Sequence, residues 1–347
     1  LDNTKKKARQ DEWQEQTQSV FASVEVGWKS MLYLTLTGRN DWASQLANSS
    51  TPCFFYPSVG LSGVISEMLT LPEFIDYMKV RGSFSSVGMP YPRNLTSPTY
   101  EYDEANQQWK PKTHYPIKDL KPERTNSWAL GLDMRLFKDF RLGFSWYLAN
   151  TFNQTFDPKV SVSSGYSKIY LQTGYVRNSG VELSLGYGHT WNNHLHWESN
   201  FTLSHNKNTI KDLVTSYIHP ETGLPITQNR LDVGGLGKAR FILKKGGTLG
   251  DLYTQSDLKR DNSGMVEIDP SGALTTEDNL PDIKLGSVFP KANLAWNNRF
   301  EWRGISLSAL FTARIGGIAY SATQAAMDQY GVSERSAQAR DNGGVLL

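Results

Sequence analysis

The sequence predicts an all-β protein, an antiparallel portion of a transmembrane β-barrel, and three observations support this. Apolar and polar residues alternate with period two along several stretches. Such alternation gives a strand one apolar and one polar face. Several stretches reach the roughly 9–11 residues that a tilted membrane strand needs, above the usual 5–6 or so of soluble sheets. The connections between the stretches are sorted by length, short at one end and long at the other.

Ten strands follow one another along the chain. The clearest alternation covers 128–136, where even-numbered residues are apolar and odd-numbered ones up to 135 are small or charged. The next strand repeats it over 140–148. On this pair Leu130, Leu132, Met134, Leu142, Phe144 and Trp146 should face lipid, and Asp133, Arg135 and Ser145 the lumen. The predicted strands are 19–28, 31–41, 55–64, 78–86, 126–137, 140–152, 179–191, 194–206, 291–302 and 305–316.

The connections strengthen the barrel interpretation. Tight turns are predicted at 29–30, 138–139, 192–193 and 303–304. They fall at one end, together with 65–77, in which a helical turn is expected at 72–77. The other end carries the long connections 42–54, 87–125, 153–178 and 207–290. Short turns on the periplasmic rim and long loops on the other are typical of transmembrane barrels.

The longest connection, 207–290, is rich in Gly, Asp and Pro and lacks long lipid-facing alternation. We therefore expect it to lie outside the membrane, because irregular backbone exposed to lipid would leave polar groups unsatisfied.

Composition excludes several classes of protein. The 347 residues are 39% hydrophobic and 20% charged, with a net charge of +2, which excludes a strongly charged disordered chain and nucleic-acid binding driven by bulk charge. No run of eighteen apolar residues suggests a transmembrane helix. The lone Cys53 excludes an internal disulfide framework. Aromatic residues cluster near the predicted strand ends, where rings suit a bilayer interface.

Two groups of residues invite a metal interpretation. His189, His194, His196 and His205 lie on one predicted hairpin, but exposed positions near a turn explain them as well. Oxygen ligands around Gly264 suggest calcium, although the EF-hand spacing fails and an ordinary Asn/Gly turn is the stronger interpretation. Those residues are Asp257, Asp261, Asn262, Glu267 and Asp269. We expect no cofactor, no metal ligand and no catalytic residue.

Ten short blocks carry a family resemblance. They are Thr37–Trp42, Phe55–Val59, Ile65–Glu67, Lys79–Phe84, Leu120–Trp128, Gly131–Asp133, Ser163–Tyr166, Val176–Leu183, Gly286–Lys291 and Arg303–Leu307. In this order they resemble the C-terminal barrel half of SusC/RagA-like TonB-dependent outer-membrane transporters of the Bacteroidetes. Each block is weak alone, and the ordered series is specific. Residues 207–285 match poorly, as a variable loop would.

The resemblance implies a 22-stranded barrel with an N-terminal plug, of which this chain would supply about ten strands. Residues 19–316 would form the strands and their extracellular loops, 1–18 a loop before them, and 317–347 a further extracellular loop with an incomplete end. No plug, TonB box or final aromatic-ended strand is recognisable. We therefore expect a fragment of a longer transporter.

The resemblance also implies a function. The full transporter would import oligomeric nutrients, glycan oligosaccharides foremost or peptides, across the outer membrane. TonB and a SusD-like surface lipoprotein would be its partners, membrane lipid and lipopolysaccharide its surroundings, and nucleic acid is not expected. Aromatic rings in the loops could stack on substrate or simply pack the loops. These are Tyr100, Tyr102, Trp109, Tyr115 and Tyr166.

Two rival functions remain open. A secreted all-β carbohydrate-binding module would share the aromatic composition but would stay soluble without detergent. An outer-membrane enzyme such as a barrel lipase would need a nucleophile–histidine pair, and no spacing in the sequence marks one.

Overall fold

The computed structural model contains a single ten-stranded antiparallel sheet, called the wall below, and several small sheets. It describes residues 12–47, 49–89, 95, 101–103, 107–110, 121–156, 171–191, 194–218 and 225–343. In chain order the strands are β1 Thr17–Trp28, β2 Leu32–Ala43, β3 Cys53–Val64, β4 Ile75–Met89, β5 Glu101–Asp103, β6 Gln108–Lys110, β7 Glu123–Leu136, β8 Phe140–Phe156, β9 Leu171–Trp191, β10 Leu195–Asp212, β11 Val214–Ile218, β12 Pro225–Gln228, β13 Arg230–Leu236, β14 Ala239–Lys244, β15 Asp251–Thr254, β16 Asp257–Leu258, β17 Thr276–Glu277, β18 Ile283–Ser287, β19 Ala292–Trp302 and β20 Ile305–Ile315.

The wall follows the order β1-β2-β3-β4-β7-β8-β9-β10-β19-β20. Each wall strand therefore pairs with the wall strands that come before and after it along the chain. All ten predicted strands are confirmed. The largest differences are at the long-connection end, where β9 begins at Leu171 and β10 continues to Asp212. Every position of the edge strands β1 and β20 is exposed, and the sheet does not close on itself.

The short connections are built by residues in the left-handed region. Lys29 and Ser30 have φ of 50° and 56°, and Phe137 and Lys138 have φ of 51° and 65°. Arg303 and Gly304 form a two-residue turn that pairs Trp302 with Ile305. Positive φ at both central residues gives a turn whose twist matches that of the flanking strands. Residues 192–193 lie outside the described residues.

The predicted helical turn at 72–77 is wrong. The helix of this connection, α1, comes earlier, at Ile65–Met68. Ile75 and Tyr77 instead belong to β4 and pair with Leu136 and Arg135. Ile75 N still donates to Pro72 O at 2.9 Å, so the connection ends in one hydrogen-bonded turn, after which the chain pairs with β7 and does not continue as a helix.

The register sorts side chains into two faces. Cross-strand partners point to the same side of a sheet, so the pairings extend each face across all ten strands. The polar face includes Glu25, Thr35, Ser58, Ser83, Asp133, Ser145, Glu182, Thr202, Asn297 and Ser308. The apolar face includes Val26, Leu34, Leu61, Leu130, Trp146, Val181, Phe201, Trp296 and Phe311.

The segment 213–290, called the insertion below, builds its own sheets. β13, β14, β15 and β18 form a four-stranded sheet, and β11–β12 and β16–β17 form two small pairs. None of these eight strands joins the wall. Residues 207–212, expected to be outside the strands, extend β10 and pair with β9.

Two helices follow the last strand. α2 spans Ala322–Gln329 and α3 spans Glu334–Asp341, and the side chains of Ser321 and Ser333 cap their first turns. Within the described residues, none of the helices has the length and apolar character required to cross a bilayer.

Candidate functional site: the polar face, the mouth and the insertion

The centre of the polar face carries a charged network that crosses strands. Arg81 on β4 donates a hydrogen bond to Ser145 Oγ on β8 at 3.0 Å, and its Nε lies 3.5 Å from Asp133 Oδ2 on β7. The side chain reaches across β7 at Gly131, where an added Cβ would lie 2.4 Å from Arg81 Nε. Gly131 therefore provides the gap through which this arginine spans three strands.

A second crossing uses the same arrangement. Arg141 on β8 passes Gly186 on β9 and donates to Glu198 Oε1 on β10 at 2.8 Å. A Cβ at Gly186 would lie 3.1 Å from Arg141 Nε.

A third crossing involves a tyrosine. Tyr147 donates to Asn206 Oδ1 at 3.1 Å, again across β9. At Gly180 an added Cβ would lie 2.5 Å from the Tyr147 hydroxyl and 2.4 Å from the backbone oxygen of His205. Glycines at these three positions thus allow long polar side chains to lie flat along the polar face.

The side chains of the first crossing, Arg81, Asp133 and Ser145, line a concave surface with a cavity of about 650 Å³. Its charged and hydrogen-bonding groups come from strands across the wall. They include Arg81, Asp133, Glu182, Thr202, Asn293 and Arg314. Charges of both signs beside neutral donors and acceptors can bind hydroxyl-rich or zwitterionic molecules.

Two of the five predicted stacking rings are brought together. Tyr102 and Trp109 are a cross-strand pair of the β5–β6 hairpin, with ring centroids 5.1 Å apart in an edge-to-face arrangement. Trp109 is 66% exposed and so has ring surface accessible to a ligand. Tyr100, Tyr115 and Tyr166 lie outside the described residues.

The long connection after β4 is anchored at the mouth, the end of the wall that carries the long connections. Leu95 is buried against Ala43, Leu46 and Phe54, with Tyr56 packed beside them. By register, Ala43, Phe54 and Tyr56 point to the polar face. This contact therefore places Leu95 on the polar side of the mouth.

The insertion sits on the mouth-side ends of β9 and β10. Val176 and Ile210 from the wall form one buried cluster with Leu213, Leu231 and Leu243. The backbone of Ile210 exchanges two 2.8 Å hydrogen bonds with the turn at 246–247. Apolar burial and backbone bonds together fix the insertion to the wall.

Ion pairs hold the four-stranded sheet of the insertion together. Asp282 lies 2.6 Å from Arg230 and 2.9 Å from Lys244, and these cations lower the pKa of its carboxyl to about 2. Asp251 is fully buried. Burial raises its pKa, but hydrogen bonds from Lys284 and Thr248 outweigh this and hold the pKa below its usual value.

The residues considered for calcium form two consecutive turns. Asp261 Oδ1 accepts from the backbone nitrogens of Ser263 and Met265, and Asp269 does the same for Ser271 and Ala273. Each carboxylate thus serves its own turn. No group of three acidic, His or Cys side chains suited to a metal occurs within the described ranges. The expectation that this loop holds no metal stays a prediction.

The histidines on the β9–β10 hairpin point to different surroundings. His189 bonds Asp139 at 2.6 Å on the apolar face, and His196 bonds Thr190 at 2.9 Å on the polar face. His205 bonds the Lys291 backbone oxygen at 2.5 Å. These three side chains do not share one site.

The apolar face carries aromatic bands near both ends of the strands. At the short-turn end, successive ring centroids lie 4.8–6.5 Å apart along a row formed by Phe137, Phe140, Tyr187, Trp197 and Phe300. At the mouth end Phe152 stacks on Tyr175 at 4.7 Å.

The spacing of the bands fits a bilayer. Phe140 and Phe152 are twelve residues apart on β8, as are Tyr175 and Tyr187 on β9. At ~3.3 Å per residue that separation is about 40 Å along the strand. With a tilt of about 40° it corresponds to roughly 30 Å along the membrane normal, the thickness of the hydrocarbon core.

Comparison with known proteins places the chain in a family. A family model described as "TonB dependent receptor-like, beta-barrel" matches residues 2–252, more than half of the chain. The chain belongs to the TonB-dependent receptor β-barrel family. This is a family of outer-membrane receptors and transporters, and the expected membership is confirmed.

Relatives of the TonB-dependent barrel come from Formosa agariphila. TonB-dependent receptor P39 is 24% identical over 271 residues, which cover 75% of this chain and 23% of the relative. TonB-dependent receptor P26 is 24% identical over 331 residues, which cover 88% of this chain and 32% of the relative. The chain therefore spans a third or less of these relatives' length.

Solved structures share the barrel fold. The RagAB peptide transporter superimposes with a TM-score of 0.66 at 18% identity, covering 86% of this chain and 33% of that one. The RagAB peptide importer in its "open-open" state superimposes with a TM-score of 0.65 at 18% identity, covering 87% of this chain and 33% of that one. At this identity the likeness shows the fold, which confirms the expected antiparallel TonB-dependent barrel architecture.

Proposed function

We propose that the chain is part of a TonB-dependent outer-membrane active transporter that imports oligomeric nutrients. The observation that carries this proposal is the two-faced wall. Its apolar face is exposed over a bilayer-sized height between two aromatic bands, whereas its polar face carries a hydrogen-bonding cavity. A barrel wall between lipid and a wet lumen requires this division.

Glycan oligosaccharides are the substrate class we propose first. The exposed ring of Trp109, supported edge-on by Tyr102, offers an apolar platform on the long connection after β4. Sugars present C–H faces to such rings and hydroxyls to neighbouring polar groups. The polar face of the wall carries such groups.

Peptides are the second candidate, and a specific observation favours them. The crossings on the polar face place Arg81 beside Asp133, and Arg141 beside Glu198. Paired charges of both signs complement the charged termini and side chains of a peptide. A neutral oligosaccharide would make less use of them.

The proposed partners are TonB and a SusD-like surface lipoprotein. The insertion supports the second, because it lies at the mouth and exposes apolar side chains. Val233, Leu236 and Leu285 are among those exposed on its four-stranded sheet. Exposed apolar groups on a structured loop often mark a protein contact.

A growth assay tests the transport proposal. A strain lacking the gene is grown on a panel of polysaccharides and on protein hydrolysate as sole nutrient, with the matching monomers as controls. We expect growth to fail on one polymeric source and to continue on its monomer. Unchanged growth on every polymer of the panel would contradict the proposal.

A substitution then tests the aromatic platform. Trp109→Ala in the full-length protein should raise the half-saturating concentration for an oligosaccharide by about tenfold, given roughly 1–3 kcal/mol for a stacked ring. Phe289→Ala, an exposed ring of the insertion, is the matched control. Equal effects of the two changes would refute a specific role for Trp109.

A secreted carbohydrate-binding sandwich is the rival that the wall argues against. A sandwich buries its apolar face under a second sheet. Within the described residues no second sheet covers the wall, and Leu130 and Leu307 are 57% and 68% exposed. Extraction from membranes only by detergent would separate the two proposals.

A further inference from the structure

We propose that the apolar face carries a binding site for a phosphorylated, multi-acylated glycolipid of the lipid A type. The site combines a cationic head region near the mouth, formed by Arg124, Arg177 and Lys207, with an apolar groove below it. The inference rests on the proposed outer-membrane placement of the wall. It goes beyond that function because the ligand would be a structural lipid of the membrane.

The head region follows from the register. Asn126 pairs with Asn150, and Asn150 with Arg177, so these residues share a level and a face on β7, β8 and β9. Arg124 lies two residues nearer the mouth on β7. Lys207 on β10 pairs with Ser179 on β9, which lies two residues deeper than Arg177. At ~4.8 Å between strands, all three cations fall within about 20 Å of one another.

The two arginines are held in place. Arg177 donates through Nε to Asn150 Oδ1 at 2.8 Å and through Nη2 to the Tyr175 hydroxyl at 2.6 Å. Arg124 donates to the backbone oxygen of Phe55 at 3.0 Å and is exposed. Oriented guanidinium groups suit phosphate, which they bind through two parallel bonds.

The surroundings place these cations at headgroup depth. Tyr175 stacks on Phe152 within the mouth-side aromatic band, and Arg177 lies 5.8 Å from the centre of the Tyr175 ring. Between the levels of Arg124 and Lys207, the described residues on this face of β4 to β10 include no Asp or Glu. The next carboxylate along β10, Asp212, is paired with Lys245 at 2.7 Å. His205, the other titratable side chain nearby, bonds a backbone oxygen.

The groove lies deeper on the same face. It has a volume of about 400 Å³ and an almost wholly apolar lining. Gly82 on β4 leaves a gap beside the rings of Phe84 and Trp128, whose centroids lie 4.7 Å apart. Trp128 is four residues below Arg124 on β7. Val59, Leu61, Leu130 and Trp146 complete it. A hydrocarbon chain would fill such a groove while its phosphate met the cations above.

The short-turn end supplies the contrast. Lys29 and Arg303 lie over the rings of Trp28 and Trp302, so cations also flank the other aromatic band. Acidic residues share that end, because Asp76 accepts from the Lys138 backbone and Asp139 binds His189. The short-turn cations therefore have acidic neighbours at their own end, whereas the mouth-side set has no carboxylate beside it on its face among the described residues and lies above a groove.

Native mass spectrometry of the full-length protein in mild detergent tests the site. The probes are bisphosphorylated lipid A, enzymatically dephosphorylated lipid A and phosphatidylglycerol. We expect the wild type to retain bisphosphorylated lipid A about tenfold better than either other lipid. Equal retention of the three lipids would overturn the inference.

Variants assign the effect to the named residues. R124Q/R177Q/K207Q should lower retention of bisphosphorylated lipid A by about tenfold, and R124K/R177K should keep most of it. The matched control K29Q/R303Q should bind as the wild type. Gly82→Leu should weaken all multi-acylated lipids together. Wild-type retention by the triple variant would contradict the assignment, and the wild-type lipid comparison stands even if a variant fails to fold. Uptake is not the readout, so failure here is distinct from failure of the transport proposal.

Discussion

β9 and β10 pass through two regions in which the apolar side chains lie on opposite faces of the strands. In the wall, Val181, Leu183 and Leu185 face outward, and Glu182 and Ser184 face the lumen side. On the mouth side of Ser179 the two faces exchange their character. The inward-facing residues become the apolar Val176 and Ile210, and the outward-facing ones become Arg177, Lys207 and Thr209.

The inversion reflects a change of solvent. Along the wall the apolar side must meet lipid, whereas at the mouth the inward side packs beneath the insertion and the outward side leaves the hydrocarbon layer. The same two strands thus belong first to a membrane wall and then to a water-exposed domain with its own core. A strand's pattern therefore reports what surrounds it, and a switch of pattern marks a boundary.

The largest expected effect breaks the wall at mid-depth. Leu130→Lys places a charge on the apolar face, at a cost of about 2–4 kcal/mol. Ala129→Lys, one residue away on the polar face, should cost far less. Heat-modifiable gel mobility of the full-length protein in outer membranes measures the folded fraction. Equal losses for the two variants would show that the faces are not distinguished by lipid.

A second change tests the glycine crossings. Gly180→Ala should destabilise the wall by about 1–3 kcal/mol, because its Cβ would meet the backbone oxygen of His205. Gly143→Ala, with nearest atoms at 3.6 Å, should be close to neutral. Urea unfolding of the refolded full-length protein in detergent measures both. A neutral Gly180→Ala would mean that the strands separate without cost.

The insertion should lose stability in acid. The folded pKa of Asp282, about 2, is below that of an unfolded aspartate. The stability it contributes is present above about pH 4 and is lost as the pH falls towards 2. Asp282→Asn should cost roughly 1–2 kcal/mol and remove part of the acid dependence. Hydrogen exchange resolved over 230–287 measures this, and Asp278→Asn, an exposed aspartate, is the control.

The wall was predictable because lipid and lumen impose period two over long distances. All ten strands follow from this alternation, including β7 and β8, which flank the turn at Lys138. The predicted strand ended at 206 because the side chains buried beyond it, Asn208 and Ile210, lie on the opposite face from the lipid-facing ones. They are buried beside the insertion. The helix at 65–68 was misplaced because a four-residue helix carries no periodic signal.

The candidate site was harder to read from sequence. The pairing of Tyr102 with Trp109 depends on a short hairpin with no strong turn signal. The crossings of Arg81, Arg141 and Tyr147 were missed, yet a signal existed. Each crossing passes a glycine at a polar-face position of the neighbouring strand, which alternation alone could have indicated.

An accessibility scan along β7 tests the two-faced wall most directly. Single spin labels are placed at positions 126–134 of the full-length protein, in a Cys53→Ser background and in liposomes. Collision rates with oxygen and with a water-soluble nickel complex are then compared. We expect the oxygen preference to alternate with period two, to be highest at the even positions and to be greatest near Leu130. A flat profile, or oxygen preference at the odd positions around Asp133, would contradict it.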